Sequence, residues 1–152
     1  MLKILIINGA NLNLLGMRES EHYGNLTLEE IIKRTDSKVR SSNLKVELTW
    51  RQSNIEGEIV NFIQDAINKY DGIVINPGGY SHTSVSILDA LKTFKKPKAE
   101  VHLSQLSGRS DHFRKSMITA SGSDILLEGL ADLSYFIGVF SIYTKLNDKD
   151  GK

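Results

Sequence analysis

The chain has 152 residues, about the length of one domain with a single core. Its 19 basic and 18 acidic residues leave a formal charge of +1, without the basic excess or stripe that nucleic-acid binding usually shows. Cysteine is absent, which excludes disulfides, thiol nucleophiles and thiolate metal sites.

The first segment, LKILIIN, is a continuous apolar run of the kind buried on both faces of a sheet. The N-terminus MLKILIING has one lysine and too short an apolar run for a signal peptide. No run reaches the roughly 18 apolar residues of a membrane span, so a soluble cytoplasmic protein is expected. A long Asn-rich loop, NGANLNLLGMRESEHYG, covers 8–24. TLEEIIKRTDSKVRSS then predicts a helix with Leu28, Ile31, Ile32 and Val39 on one face, opened by a Thr27–Glu30 capping box. LKVELTW alternates as a strand does. EGEIVNFIQDAINKYDG predicts a second helix with Ile59, Val60, Ile63, Ile67 and Tyr70 inward, stopped at Asp71-Gly72. GIVIN is a third strand. TSVSILDALKTF is a third helix, with Val85, Leu88, Leu91 and Phe94 inward, and KAEVHLS is a fourth strand. Periodicity then weakens: DILLEGL suggests a fifth strand, LADLSYFIGVFSIYTKL a closing helix, and the tail from about 145 is expected to fray. No repeat or linker divides the chain, so 1–152 is expected to form one domain.

Alternating strands and helices predict the α/β class with a parallel sheet. Its functional loops belong at the carboxyl ends of the strands. Neither a GxxxxGKS phosphate loop nor a GxGxxG fingerprint follows the first strand. The four histidines, His22, His82, His102 and His112, form no HxxxH or HxH pair, so zinc lacks its usual spacing. Arg18 stands five residues before Tyr23 in the opening loop. A guanidinium held near a phenol stabilises the phenolate and makes it a base near neutral pH. From spacing alone, a solvated arginine and a core-packed tyrosine are the better account. In NPGGYSHTS, Pro77-Gly78-Gly79 makes a tight turn, and Ser81 and His82 stand just before a helix N-terminus suited to a polar or anionic group. Thr83 or Ser84 caps that helix in either case. In EVHLS, Glu100 and His102 share a strand face. A carboxylate beside an imidazole orients it and favours its protonated form, and a satisfied structural pair has the same pattern. Arg109 and Arg114 are candidate clamps for hydroxyls or carboxylates, with Gly108 a candidate lid hinge. Together these residues fit acid–base chemistry on a small polar substrate; a dehydratase, an isomerase and a hydrolase all remain open.

The loops NGANLNLLGMRESEHYG, RQSNIEGEIV, INPGGYSHTSVSILDAL and EVHLS, in that order, closely resemble type II 3-dehydroquinate dehydratase over roughly residues 2–104. The resemblance implies a flavodoxin-like, doubly wound fold with a five-stranded parallel sheet, no metal or other cofactor, and a homo-oligomer built as a dodecamer of trimers. It implies dehydration of 3-dehydroquinate to 3-dehydroshikimate by trans elimination through an enolate. Tyr23 matches the base and Arg18 the residue that activates it. Asn11 matches the asparagine that stabilises the enolate through an ordered water. His102 matches the acid and Glu100 the carboxylate that orients it. Asn76, His82 and Arg114 match contacts to substrate hydroxyls. Ser104, with the backbone around Leu103, matches the carboxylate pocket, and Asp89 matches a residue that reaches a neighbouring subunit's site. QLSGRSDHFR stands where the family commonly has NIHAREEFR, so either Arg114 or Arg109 fills the lid-arginine position. EGLADLSY stands where it often has GxGxxGY, with Glu128 and Leu130 at small-residue positions. The alternative is a non-catalytic relative that binds a small ligand beneath a diverged lid. A phosphoacceptor domain would need an acidic cluster where NGANLN stands.

Overall fold

Strand β1, Leu2–Asn8, is apolar from Ile4 to Ile7, and every one of those residues is buried. A strand so apolar on both sides must be covered on both faces, and it is. Ile4 and Ile6 face one core, Leu5 and Ile7 the other. The computed structural model describes residues 1–17 and 25–148.

Four more strands, β2 (Val46–Gln52), β3 (Gly72–Asn76), β4 (Lys98–His102) and β5 (Ile125–Glu128), complete an all-parallel sheet in the order β2-β1-β3-β4-β5. This is the flavodoxin-like, doubly wound arrangement. Helices α1 (Leu28–Ser41) and α4 (Leu133–Asn147) cover one face through Ile31, Val39, Val139 and Ile142. Helices α2 (Glu56–Ala66) and α3 (Val85–Thr93) cover the other through Ile59, Ile63, Ile87 and Leu91. The strand order reverses between β1 and β3, where a ligand crevice forms at the carboxyl ends. There Asn8 and Asn76 lie side by side.

The expected capping box of α1 is complete: the Thr27 hydroxyl accepts from Glu30 N, and the Glu30 carboxylate accepts from Thr27 N. In α3 the expected inward set shifts. Val85 is 55% exposed. Ser84 is the N-cap, so Val85 opens the first turn toward solvent, and Ile87, Ala90, Leu91 and Phe94 carry the buried face. Ile67 likewise lies past the end of α2 and is exposed. Both weakly periodic C-terminal elements form, and α4 runs through Asn147, into the stretch expected to fray. Leu146 packs on the core, and Asn147 Nδ2 donates to Tyr143 O at 2.7 Å. No described helix is long and apolar enough to cross a membrane.

Candidate active site

Two glycines draw the ends of β1 and β3 together. A Cβ on Gly9 would lie 2.2 Å from Pro77 O, and one on Gly78, whose φ is +63°, would lie 2.7 Å from Ala10 O. No side chain fits either approach. The β1 exit turn is held further by Asn54, whose Oδ1 accepts from Asn11 N at 2.9 Å. Asn11 itself is left-handed, at φ 67°, a conformation asparagine tolerates. Above these strand ends lies a cleft of about 570 Å³ including its open mouth, a size suited to a small ligand.

The floor of the cleft comes from β4. Its odd residues, Ala99, Val101 and then Leu103, enter the apolar core under α1 and α4. Its even residues therefore point the other way. Glu100 is 0% exposed, and its Oε1 accepts from His102 Nε2 at 2.7 Å. A carboxylate in this state only accepts, so Nε2 carries a hydrogen and Nδ1 is the ring atom available to a ligand. Any proton that His102 delivers must then leave from Nδ1 of a doubly protonated ring. The second oxygen of Glu100 accepts from Thr119 Oγ1 at 2.8 Å. The buried carboxylate is thus held at both oxygens, as burial of a charge requires.

His82 closes one wall. Its Nδ1 lies 2.6 Å from the Ser116 carbonyl oxygen. A carbonyl cannot donate, so Nδ1 holds the hydrogen and Nε2 is left to a ligand. Asn76 is oriented as firmly. Gly78 N donates to its Oδ1 at 3.2 Å, and its Nδ2 donates to the Tyr135 hydroxyl at 3.1 Å. Tyr135 passes its own hydrogen to Asn8 Oδ1 at 2.5 Å. Burial pushes the Tyr135 phenol well above its ordinary pKa, so the chain Asn76–Tyr135–Asn8 is neutral throughout.

Leu103, Ser104 and Arg114 also line the cleft. Arg114 Nε donates to Asp111 Oδ2 at 3.2 Å, which leaves the terminal nitrogens of its fork for a ligand. Of the two arginines considered for this position, Arg114 lines the cleft; Arg109, half-buried, is not among the lining residues. Asp89 is exposed on α3 and does not line its own chain's cleft. Arg18 and Tyr23 lie outside the described residues. Among the described residues, no three His, Asp or Glu side chains gather in a metal-binding cluster.

Residues 2–143 match the family model for dehydroquinase class II. The chain belongs to that family. The 3-dehydroquinate dehydratase of Fusobacterium nucleatum is 45% identical over 139 residues, covering 91% of this chain and 94% of that one. That of Clostridium acetobutylicum is 44% identical over 146 residues, covering 96% and 99%. The crystal structure of type II dehydroquinase from Butyrivibrio crossotus superposes with a TM-score of 0.87 at 39% identity, over 93% of this chain and 97% of that one.

In this member of the dehydroquinase family, the segment after β5 is tied back to the exit of β4. Glu128 ends β5 and accepts from Leu106 N at 3.1 Å, so a carboxylate ties down the loop that leaves β4. Ser134 donates to His102 O at 3.3 Å. Ala131 adopts φ 49°, a strained position for a residue with a side chain, and its N donates to Leu103 O at 3.1 Å. Sequence reasoning did not single out Thr119, Tyr135, Asn8, Asn54 or Ser116 for the site. Asn8 and Asn76 carried one usable signal: each is an asparagine closing an apolar strand, where a polar side chain needs a partner.

Proposed function

We propose that the protein dehydrates 3-dehydroquinate to 3-dehydroshikimate by trans elimination through an enolate. The reading is supported by family membership and by one observation above all. The buried Glu100–His102 pair at the cleft floor keeps one ring nitrogen for the ligand. Tyr23, activated by Arg18, removes the proton beside the substrate ketone, and Asn11 stabilises the resulting enolate through an ordered water. The enolate then expels the hydroxyl of the neighbouring β-carbon, from the ring face opposite the lost proton. That C–O bond breaks as His102 gives the oxygen the Nδ1 proton, and water leaves with the conjugated enone formed. Asn76, His82 and Arg114 hold substrate hydroxyls, and Arg109 is the alternative to Arg114. Ser104 and the backbone at Leu103 take the carboxylate. Asp89 reaches a neighbour's site in a dodecamer of trimers, the assembly we propose, working in the cytoplasm as one domain per chain without a cofactor. A non-catalytic binder would have no use for an acid held this way.

The acid assignment is tested with His102→Ala, followed by the ultraviolet absorbance of the conjugated product. A general acid contributes about 10²–10⁴-fold, so kcat should fall by that factor while substrate still binds. A kcat within about threefold of wild type would remove His102 from the mechanism.

A further inference from the structure

Thr119 lies in the weakly periodic stretch to which the sequence assigned no chemistry. It opens a 3-10 turn over Thr119–Gly122 that packs against α3. Its side chain is 0% exposed, and its hydroxyl donates to Glu100 Oε2, the oxygen that His102 does not use. The turn is anchored on its approach. Ile118 N donates to Ser81 O at 2.7 Å, and Ser116 O receives the Nδ1 hydrogen of His82 at 2.6 Å. One short strap, 116–119, therefore touches both histidines of the cleft, one through a backbone carbonyl and the other through Glu100.

A carboxylate held at one oxygen turns easily, because its terminal torsion is broad. Turning would carry Oε1 out of line with His102 Nε2. A second bond, from a hydroxyl on a β-branched side chain with few rotamers, stops that rotation. Glu100 is 0% exposed, so bulk solvent does not offer that second bond. We infer that Thr119 is a positioning residue for the general acid: it locks the Glu100 carboxylate, which in turn aims the His102 ring at the departing hydroxyl. The inference rests on the Glu100–His102 reading above and adds the element that holds that pair in register.

Steady-state turnover of 3-dehydroquinate tests it in Thr119→Val, Thr119→Ser, Glu100→Ala and the Thr119→Val/Glu100→Ala double variant. Valine keeps the shape and removes the donor. Thr119→Val should lower kcat about tenfold with KM within about twofold, because a charge-assisted hydrogen bond is lost while the substrate contacts stay. Thr119→Ser should stay within about threefold of wild type, and the valine should cost nothing more once Glu100 is gone. A Thr119→Val enzyme with wild-type kcat overturns the inference. So does an equal loss with and without Glu100, which would mark Thr119 as merely structural. Wild-type kcat in Glu100→Ala would instead refute the acid reading beneath it. If the valine variant does not fold, Thr119→Ala is read in the same way.

Discussion

Asn76 offers two donors and two lone pairs, and the protein takes up one of each, through Tyr135 and Gly78. The amide cannot flip without setting the Gly78 N–H against an NH₂ group, so one donor and one lone pair are aimed at the cleft by construction. Tyr135 is the keystone of that orientation, and burial keeps its phenol neutral above the ordinary value of 10.0. The unfolded chain releases this proton near pH 10 and the folded chain does not. Its contribution is therefore whole below pH 10 and is lost as pH rises beyond it. Urea midpoints measured from roughly pH 9 to 11 should fall less steeply with pH in Tyr135→Phe than in wild type. Parallel curves would mean that Tyr135 ionises freely in the folded protein. At this scale the sequence told part of the story. Glu100 and His102 were legible because a strand places alternate residues on one face. Thr119 and Tyr135 were not, because their partners are far away in the chain and no periodicity links a 3-10 turn to a strand.

At the scale of elements, α3 shows how the site depends on a helix end. Ser84 accepts from Ile87 N at 3.0 Å, satisfying an amide that the helix leaves open. The same hydroxyl donates to Glu56 Oε1 at 2.5 Å, joining the starts of α2 and α3 just after the turn that holds His82. Ser84→Ala removes both bonds in a buried setting, and chemical denaturation should register a loss of about 1–2 kcal/mol. A change under about 0.3 kcal/mol would show that the cap is dispensable. The capping logic was readable in advance, since Thr83 and Ser84 were the residues available. On α3 the expected Leu91 and Phe94 are buried, but Val85 stands in the first turn and faces solvent, and Ile87 and Ala90 complete the inward face. The β5 and α4 elements had weak signals for a related reason. Their strand is short, and α4 mixes buried glycine, serine and tyrosine with its aliphatic residues.

On the scale of the molecule, the all-parallel sheet was foreseeable from alternating strands and helices, but periodicity does not order strands. The family resemblance implied a flavodoxin-like, five-stranded sheet; the observed order β2-β1-β3-β4-β5 decides where the cleft lies. The exits of β1, β3 and β4 converge there, bringing Asn11, Asn76 and His102 to one pocket from distant parts of the chain. Acid–base dehydration in that pocket is the central claim. It is tested most directly by mixing the purified wild-type protein with 3-dehydroquinate, with and without a metal chelator, and following the ultraviolet absorbance of the conjugated enone. The absorbance should rise at the same rate in both mixtures. A flat trace with the substrate demonstrably bound, or a rise that the chelator abolishes, would contradict the account.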